Sequence, residues 1–90
     1  MSQYSREEIL KVVIDAFIKT ATNSPNGVIL PESFSEDTEF KKTHNLDSLD
    51  NIELIARLEE HFQLMMDDKK WVDMETLGEV CDYLESRLSE

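Results

Sequence analysis

The sequence predicts a small all-α protein, a four-helix bundle of three main helices and one short helix with a long loop between helices 1 and 2. Apolar residues recur at helical spacing in three segments, and capping residues stand just before each segment. No segment alternates between apolar and polar residues long enough to indicate a sheet. A chain of 90 residues has room for one core, so we expect a single domain over residues 1–90.

The first helix is predicted over residues 6–21. Ser5 precedes Glu8 by three positions, which is the spacing of a capping box. The apolar stripe that follows is broad, so this helix should pack against more than one neighbour. Its members include Ile9, Val12, Val13, Ala16 and Phe17.

A long loop is predicted over residues 22–46, where Pro, Gly, Ser and Thr are frequent and no helical period persists. A loop of this length needs anchors in a compact protein. We also expect one helical turn near residues 31–35. The predicted apolar anchors are Val28, Ile29, Leu30, Phe34 and Phe40.

The second main helix is predicted over residues 48–62, with Asp47 as its N-terminal cap. One face is apolar, with Leu49, Ile52, Ile55, Leu58 and Phe62. The opposite face forms an acidic ridge that only Arg57 interrupts. The acidic residues of the ridge are Asp50, Glu53, Glu59 and Glu60.

Two further helices complete the predicted bundle, a short one over residues 68–73 and the last over 77–88. Thr76 and Glu79 repeat the capping-box spacing. The connector before the last helix contains Met65, Met66 and Met74, which we expect to fill the core. The apolar stripe of the last helix contains Leu77, Val80, Cys81, Leu84 and Leu88.

The chain is strongly acidic, with a formal net charge of −11. Residues 1–43 carry 7 acids and 5 bases (net −2), and residues 44–90 carry 13 acids and 4 bases (net −9). Such a surface repels nucleic acid and anionic lipid, so we expect partners with basic patches. No apolar run reaches the length of a membrane span, and no N-terminal signal core is present, so the cytoplasm is the expected compartment.

Catalytic and metal-binding patterns are absent from the sequence, so we expect neither an enzyme nor a metal site. The Gly-x-Ser-x-Gly pattern is missing, and the calcium-loop pattern of alternating acidic ligands is missing as well. His44 is interpreted as a loop residue and His61 as a solvent-facing one. Cys81 is a single cysteine and is interpreted as a buried apolar residue.

Ser48 is the remaining candidate for a functional residue. A serine at the N-terminus of a helix is exposed and lies where the helix dipole favours an anion, so it is suited to carry a phosphate ester. The alternative is an ordinary helix-start serine, since serines are common at such positions. Composition alone favours this alternative.

The run from Leu46 to Leu54, Leu-Asp-Ser-Leu-Asp-Asn-Ile-Glu-Leu, resembles the Asp-Ser-Leu signature of acyl carrier proteins. The following run, Leu-Glu-Glu-His-Phe at residues 58–62, fits the same pattern, and the resemblance extends from Phe40 to Leu88. It implies that a separate transferase esterifies Ser48 with a phosphopantetheine arm from coenzyme A. It further implies that the arm's thiol carries acyl or polyketide intermediates as thioesters.

The resemblance also implies partners, site residues and a monomer. The partners are the phosphopantetheinyl transferase, fatty-acid or polyketide synthase enzymes and acyltransferases, each with a basic docking patch. The acyl pocket would involve Met66, Trp71 and Met74. The residues implied in partner recognition are Asp47, Leu49, Asp50, Ile52, Glu53, Ala56, Glu59 and Glu60.

Several departures from the family pattern predict a specialised carrier that serves a dedicated pathway. His44 and Asn45 stand where the family usually has Leu-Gly, Ala56 is small for its position, and Trp71 is unusual on the short helix. A second hypothesis is an unmodified, carrier-like interaction protein that docks basic partners through its acidic second helix. Substitution of Ser48 distinguishes the two hypotheses.

Overall fold

The predicted all-α bundle is confirmed by a computed structural model, which describes residues 4–25, 27, 30–41 and 46–89. Within these residues the chain forms α1 (Arg6–Asn23), α2 (Ser48–Phe62), α3 (Asp68–Asp73) and α4 (Leu77–Leu88). The bounds of the last three helices are those predicted. α1 continues past residue 21 and ends at Asn23. Ser24 follows it as the C-terminal cap, with an extended backbone and an N–H that donates to the carbonyl of Ala21.

Side-chain caps explain why the helices begin where they do. In α1 the hydroxyl of Ser5 accepts from the N–H of Glu8 at 3.2 Å, while the Glu8 carboxylate accepts from the N–H of Ser5 at 2.8 Å. Thr76 and Glu79 make the same reciprocal pair at the start of α4. These bonds satisfy N–H groups that have no partner within their helix.

α1 packs against both α2 and α4, as its broad apolar stripe predicted. Phe40 from the loop is fully buried, and its ring centroid lies 6.4 Å from that of Phe17 on α1 and 5.4 Å from that of Trp71 on α3. Phe34 packs on Phe17 from the other side at 5.9 Å. The other buried residues of the core are Ile9, Val13, Ala16, Leu54, Leu58, Phe62, Met66, Met74, Leu77, Val80, Cys81 and Leu84.

The long loop differs from its prediction in two places. Leu30 is 39% exposed and does not act as an anchor, and Val28 and Ile29 lie outside the described residues. The helical turn expected near residues 31–35 is also wrong, because the chain bends at 32 and 33 and turns at 36 and 37. The side chains of Ser35 and Thr38 explain the later turn, since each accepts from a nearby backbone N–H and so competes with helix formation.

Arg6 fastens the start of α1 to the loop and to α4, which the sequence analysis did not anticipate. Its guanidinium forms ion pairs with Glu36 at 2.6 Å, Asp82 at 2.7 Å and Glu85 at 2.8 Å. We call these four residues the Arg6 cluster. The hydrogen bond from Arg6 holds the pKa of Glu36 below its ordinary value.

Candidate functional site: a serine beside an apolar groove

Ser48 is the first residue of α2, and its side chain is exposed to solvent. Asp47 immediately before it caps the helix, because its Oδ1 accepts from the N–H of Asp50 at 2.8 Å. The side-chain amide of Asn51 donates to the carbonyl of Asp47 at 2.9 Å. The backbone around Ser48 is therefore fixed while its hydroxyl stays accessible. His44 lies outside the described residues.

Asp50 was predicted on the exposed acidic ridge, and this placement is wrong. The residue is 6% exposed, because its carboxylate folds back to complete the cap. Its Oδ2 accepts from the N–H of Asp47 at 3.2 Å and from the hydroxyl of Ser24 at 3.0 Å. Asp50 thus joins the start of α2 to the end of α1. The spacing of two aspartates three positions apart indicates this cap, whereas the partner at Ser24 has no local signal.

An apolar groove of about 430 Å³ lies directly beside Ser48, between α2 and α3. Trp71 and Val72 line it from α3, and Ile52 and Ile55 line it from α2. Lys41 of the loop and Asp68 of α3 are its charged lining residues. The arrangement offers an alkyl chain attached at Ser48 a place to leave water.

The three predicted pocket residues occupy different places. Trp71 lies in the wall of the groove, while Met66 lines a second hollow of about 300 Å³ that shares Ile52 and Ile55 with the groove. Met74 is buried in the core and lines neither hollow. Met65 was expected in the core as well, but it is 74% exposed at the second hollow. The expectation for Met65 is therefore wrong.

The outer side of α2 presents apolar residues to solvent. Leu49 is 73% exposed and Ile52 is 61% exposed, and Val72 of α3 is 70% exposed nearby. Apolar side chains this exposed are typical of a surface that binds a partner when they occur as a contiguous group. Ala56 is exposed on the same helix.

The acidic residues of α2 differ in the contacts that their carboxylates make within the chain. Glu53 pairs with Arg57 at 3.2 Å across one helical turn. The carboxylate of Glu59 accepts from the N–H of Met66 at 2.8 Å, so it holds the connector after α2 in place. Glu60 is exposed. Glu60 is thus the acidic residue best placed to meet a partner without cost to the fold.

Residues outside the groove fit structural roles. Cys81 is fully buried, as predicted, and burial raises the pKa of its thiol to about 11. His61 is exposed, as predicted, and its ring packs against those of Tyr4 and Phe62. In the described part of the chain, no three His, Cys, Asp or Glu side chains converge as metal ligands. No helix among these residues has the length and apolar character needed to cross a bilayer.

Taken together, fold and site define a small helical protein that presents one serine at a helix start beside an apolar groove. Residues 27–84 match the family model described as "Phosphopantetheine attachment site". The chain therefore belongs to the acyl carrier protein family, in which phosphopantetheine is the covalently attached cofactor.

Curated relatives agree with this assignment. The chain is 38% identical over 82 residues to the mitochondrial acyl carrier protein of Saccharomyces cerevisiae, a match that covers 91% of this chain and 64% of that protein. It is 31% identical over 85 residues to the acyl carrier protein of Thermosynechococcus vestitus, covering 94% of this chain and 98% of the relative. The chain thus spans less than two thirds of the yeast protein and nearly all of the cyanobacterial one.

Proposed function

We propose that the chain is a single carrier domain and that Ser48 bears its phosphopantetheine arm. The observation that supports this most directly is the exposed Ser48 hydroxyl, which stands at the start of α2 and lines the apolar groove. When the arm is bound, its terminal thiol holds an acyl or polyketide group as a thioester. A phosphate ester at this position benefits from the positive end of the helix dipole.

The chain's own residues position the arm and receive its cargo. Asp47 and Asn51 fix the backbone at the attachment point, so the arm leaves from a defined place. The groove walls withdraw alkyl carbons from water, which stabilises the loaded form by at most about 0.8 kcal/mol per buried methylene. Ser48 does not stand in the Gly-x-Ser-x-Gly pattern of a nucleophilic serine, so we assign catalysis to the partner enzymes.

The partners dock on a surface that we call the α2 face. Its exposed apolar residues fit a hydrophobic hollow on the partner, and its carboxylates fit a basic patch. Each exposed ion pair contributes at most about 1 kcal/mol to the free energy of binding. Such weak contributions suit brief docking with several enzymes. Asp50 is buried and does not belong to this surface. The α2 face comprises Asp47, Leu49, Ile52, Glu53, Ala56, Glu59 and Glu60.

The proposed partners are a phosphopantetheinyl transferase, fatty-acid or polyketide synthase enzymes and acyltransferases. The unusual Trp71 and Ala56 support a carrier dedicated to one pathway. The cytoplasm stays the sequence-based prediction for the compartment, beside a yeast relative whose name places that protein in mitochondria. An unmodified interaction protein is not favoured, because the family match concerns attachment of the arm.

Intact-protein mass tests the attachment site. After incubation with coenzyme A, magnesium and a broad-specificity transferase, the wild type should gain the mass of one arm. Ser48→Ala should gain none, whereas Ser86→Ala, at an exposed serine of α4, should load like the wild type. No addition to the folded wild type by any of several transferases, or addition to Ser48→Ala, would contradict the proposal.

A further inference from the structure

Trp71 occupies the interior beneath the groove and is held there by several contacts. The side chain is only 4% exposed although it belongs to the groove wall. Its indole N–H donates to Oδ1 of Asn51 at 3.0 Å, and its ring packs against Phe40 at 5.4 Å. The ammonium of Lys41 lies 5.2 Å from the indole centroid and donates to the carbonyl of Trp71.

An alkyl chain can pass the Trp71 wall of this groove into the bundle only if Trp71 moves. Moving the ring breaks the bond to Asn51 and leaves a buried N–H without an acceptor, which is unfavourable. It also removes the ring from Phe40, which is itself fully buried against Phe17. The route inward past α3 is therefore closed by Trp71 and Phe40, while the groove itself is open to solvent.

Resting on the function proposed above, we propose that Trp71 is a specificity-determining residue that keeps the acyl chain out of the bundle interior. The cargo lies along the open groove against Ile52, Ile55 and Val72, where a partner enzyme reaches it without first extracting it. Because Asn51 bonds both to Trp71 and to the carbonyl of Asp47, the closed ring is tied directly to the attachment site.

The test compares how melting temperature depends on acyl length. Wild type, Trp71→Leu and Lys70→Ala are loaded with butanoyl, octanoyl or dodecanoyl phosphopantetheine and checked by intact mass. In the wild type, the dodecanoyl form should melt only slightly above the butanoyl form, because the open groove leaves much of the chain in contact with water. In Trp71→Leu, dodecanoyl should raise the melting temperature above butanoyl by about 5 °C, since the vacated space admits the chain. Lys70→Ala, at an exposed position of α3 that does not line the groove, should behave like the wild type.

The chain's own fluorescence provides a direct second readout, because Trp71 is the only tryptophan. Its emission maximum should not change between the butanoyl and dodecanoyl forms of the wild type. A red shift with the longer chain, or a wild-type gain in melting temperature equal to that of Trp71→Leu, would overturn the inference.

A second experiment, which needs no transferase, separates this inference from the attachment proposal. Ser48→Cys is alkylated with maleimides that carry short or long alkyl groups, while the buried Cys81 is shielded from the reagent. The same length dependence is then measured with and without Trp71→Leu. Failure of enzymatic loading contradicts the attachment proposal, whereas equal length dependence in both backgrounds contradicts the role of Trp71.

Discussion

The α1–α4 half of the molecule and the α2 face use apolar residues in opposite ways. In the first, Ile9, Val13 and Leu84 are at most 1% exposed. The ion pairs of the Arg6 cluster also join the start of α1 to α4. On the second, Leu49 and Ile52 remain mostly in solvent. The difference indicates that one half maintains the fold, while the other leaves apolar residues exposed on the proposed docking surface.

This separation has a consequence for mutation. The exposed apolar residues of the α2 face, Leu49 and Ile52, contribute little buried area within the chain, so replacing them should leave the fold intact. Residues of the α1–α4 half contribute packing and no contact to the groove. Variants from the two regions should therefore affect different measurements, and the predictions below run from the largest expected effect to the smallest.

Leu84→Ala should have the largest effect on stability. Leu84 is 0% exposed, so its truncation should lower the free energy of unfolding by about 3 kcal/mol. The matched variant Leu49→Ala, at a leucine that is 73% exposed, should change it by less than about 0.5 kcal/mol. Urea unfolding followed by circular dichroism measures both. Equal losses would remove the contrast between the two regions.

Gly78→Ala should also destabilise the fold, because the loop passes very close to α4 at this residue. A Cβ on Gly78 would lie 2.8 Å from the carbonyl oxygen of Glu36, which accepts the Gly78 N–H at the same distance. The loop must shift, at a cost of about 2 kcal/mol. Gly27→Ala is the control, because it introduces backbone strain without crowding. The φ of Gly27 is 65°, and no atom lies within 4 Å of the added Cβ. An unchanged free energy of unfolding for Gly78→Ala would show that the loop can shift without cost, which would contradict this prediction.

Arg6→Gln should lower the free energy of unfolding by about 1–2 kcal/mol at neutral pH, because it removes the centre of the Arg6 cluster. The pKa of Glu36 is lowered by Arg6, so the stability from this pair is present above the ordinary value of 4.5. It is lost as the pH falls through the lower folded-state value. Melting temperatures of both proteins should therefore converge in acid. A constant difference between them would contradict the ion-pair account.

Glu60→Lys should have the smallest effect, and only on docking. Loss of an exposed ion pair should slow transfer by a partner enzyme by about 2–5-fold, without changing the melting temperature. Glu7→Lys changes the net charge equally, but Glu7 lies in the first turn of α1 and is not part of the α2 face. Transfer rates at low and high salt measure the effect. Equal slowing by both variants would indicate a general charge effect and no defined docking surface.

Local sequence signals were sufficient for the helices and insufficient for contacts between distant segments. Capping residues stand next to the helices they begin, so Ser5, Asp47 and Thr76 defined three starts correctly. The burial of Asp50 depends on Ser24, which is 26 residues away, and no local pattern reports that pairing.

The candidate site shows the same division. Ser48 followed from its position at a helix start and from the resemblance. The exposure of Leu49 and Ile52 followed from the resemblance alone, because helical spacing had wrongly grouped both with the buried Leu58 and Phe62. The depth of the groove followed from neither. The position of Trp71 depends on Phe40 and Asn51, which come from the loop and from α2. Met65 was misplaced because helical periodicity gives no direction to a residue in an irregular connector.

The central claim is that the α2 face binds the partner enzymes while the α1–α4 half maintains the fold. It is tested most directly by measuring the rate of phosphopantetheine loading and the melting temperature on the same variants. Intact mass gives the rate of loading for wild type, Leu49→Ala and Arg6→Gln below their melting temperatures. Leu49→Ala should load about tenfold more slowly at an unchanged melting temperature, whereas Arg6→Gln should load at the wild-type rate and melt earlier. The reverse pattern, or wild-type loading of Leu49→Ala, would contradict the account.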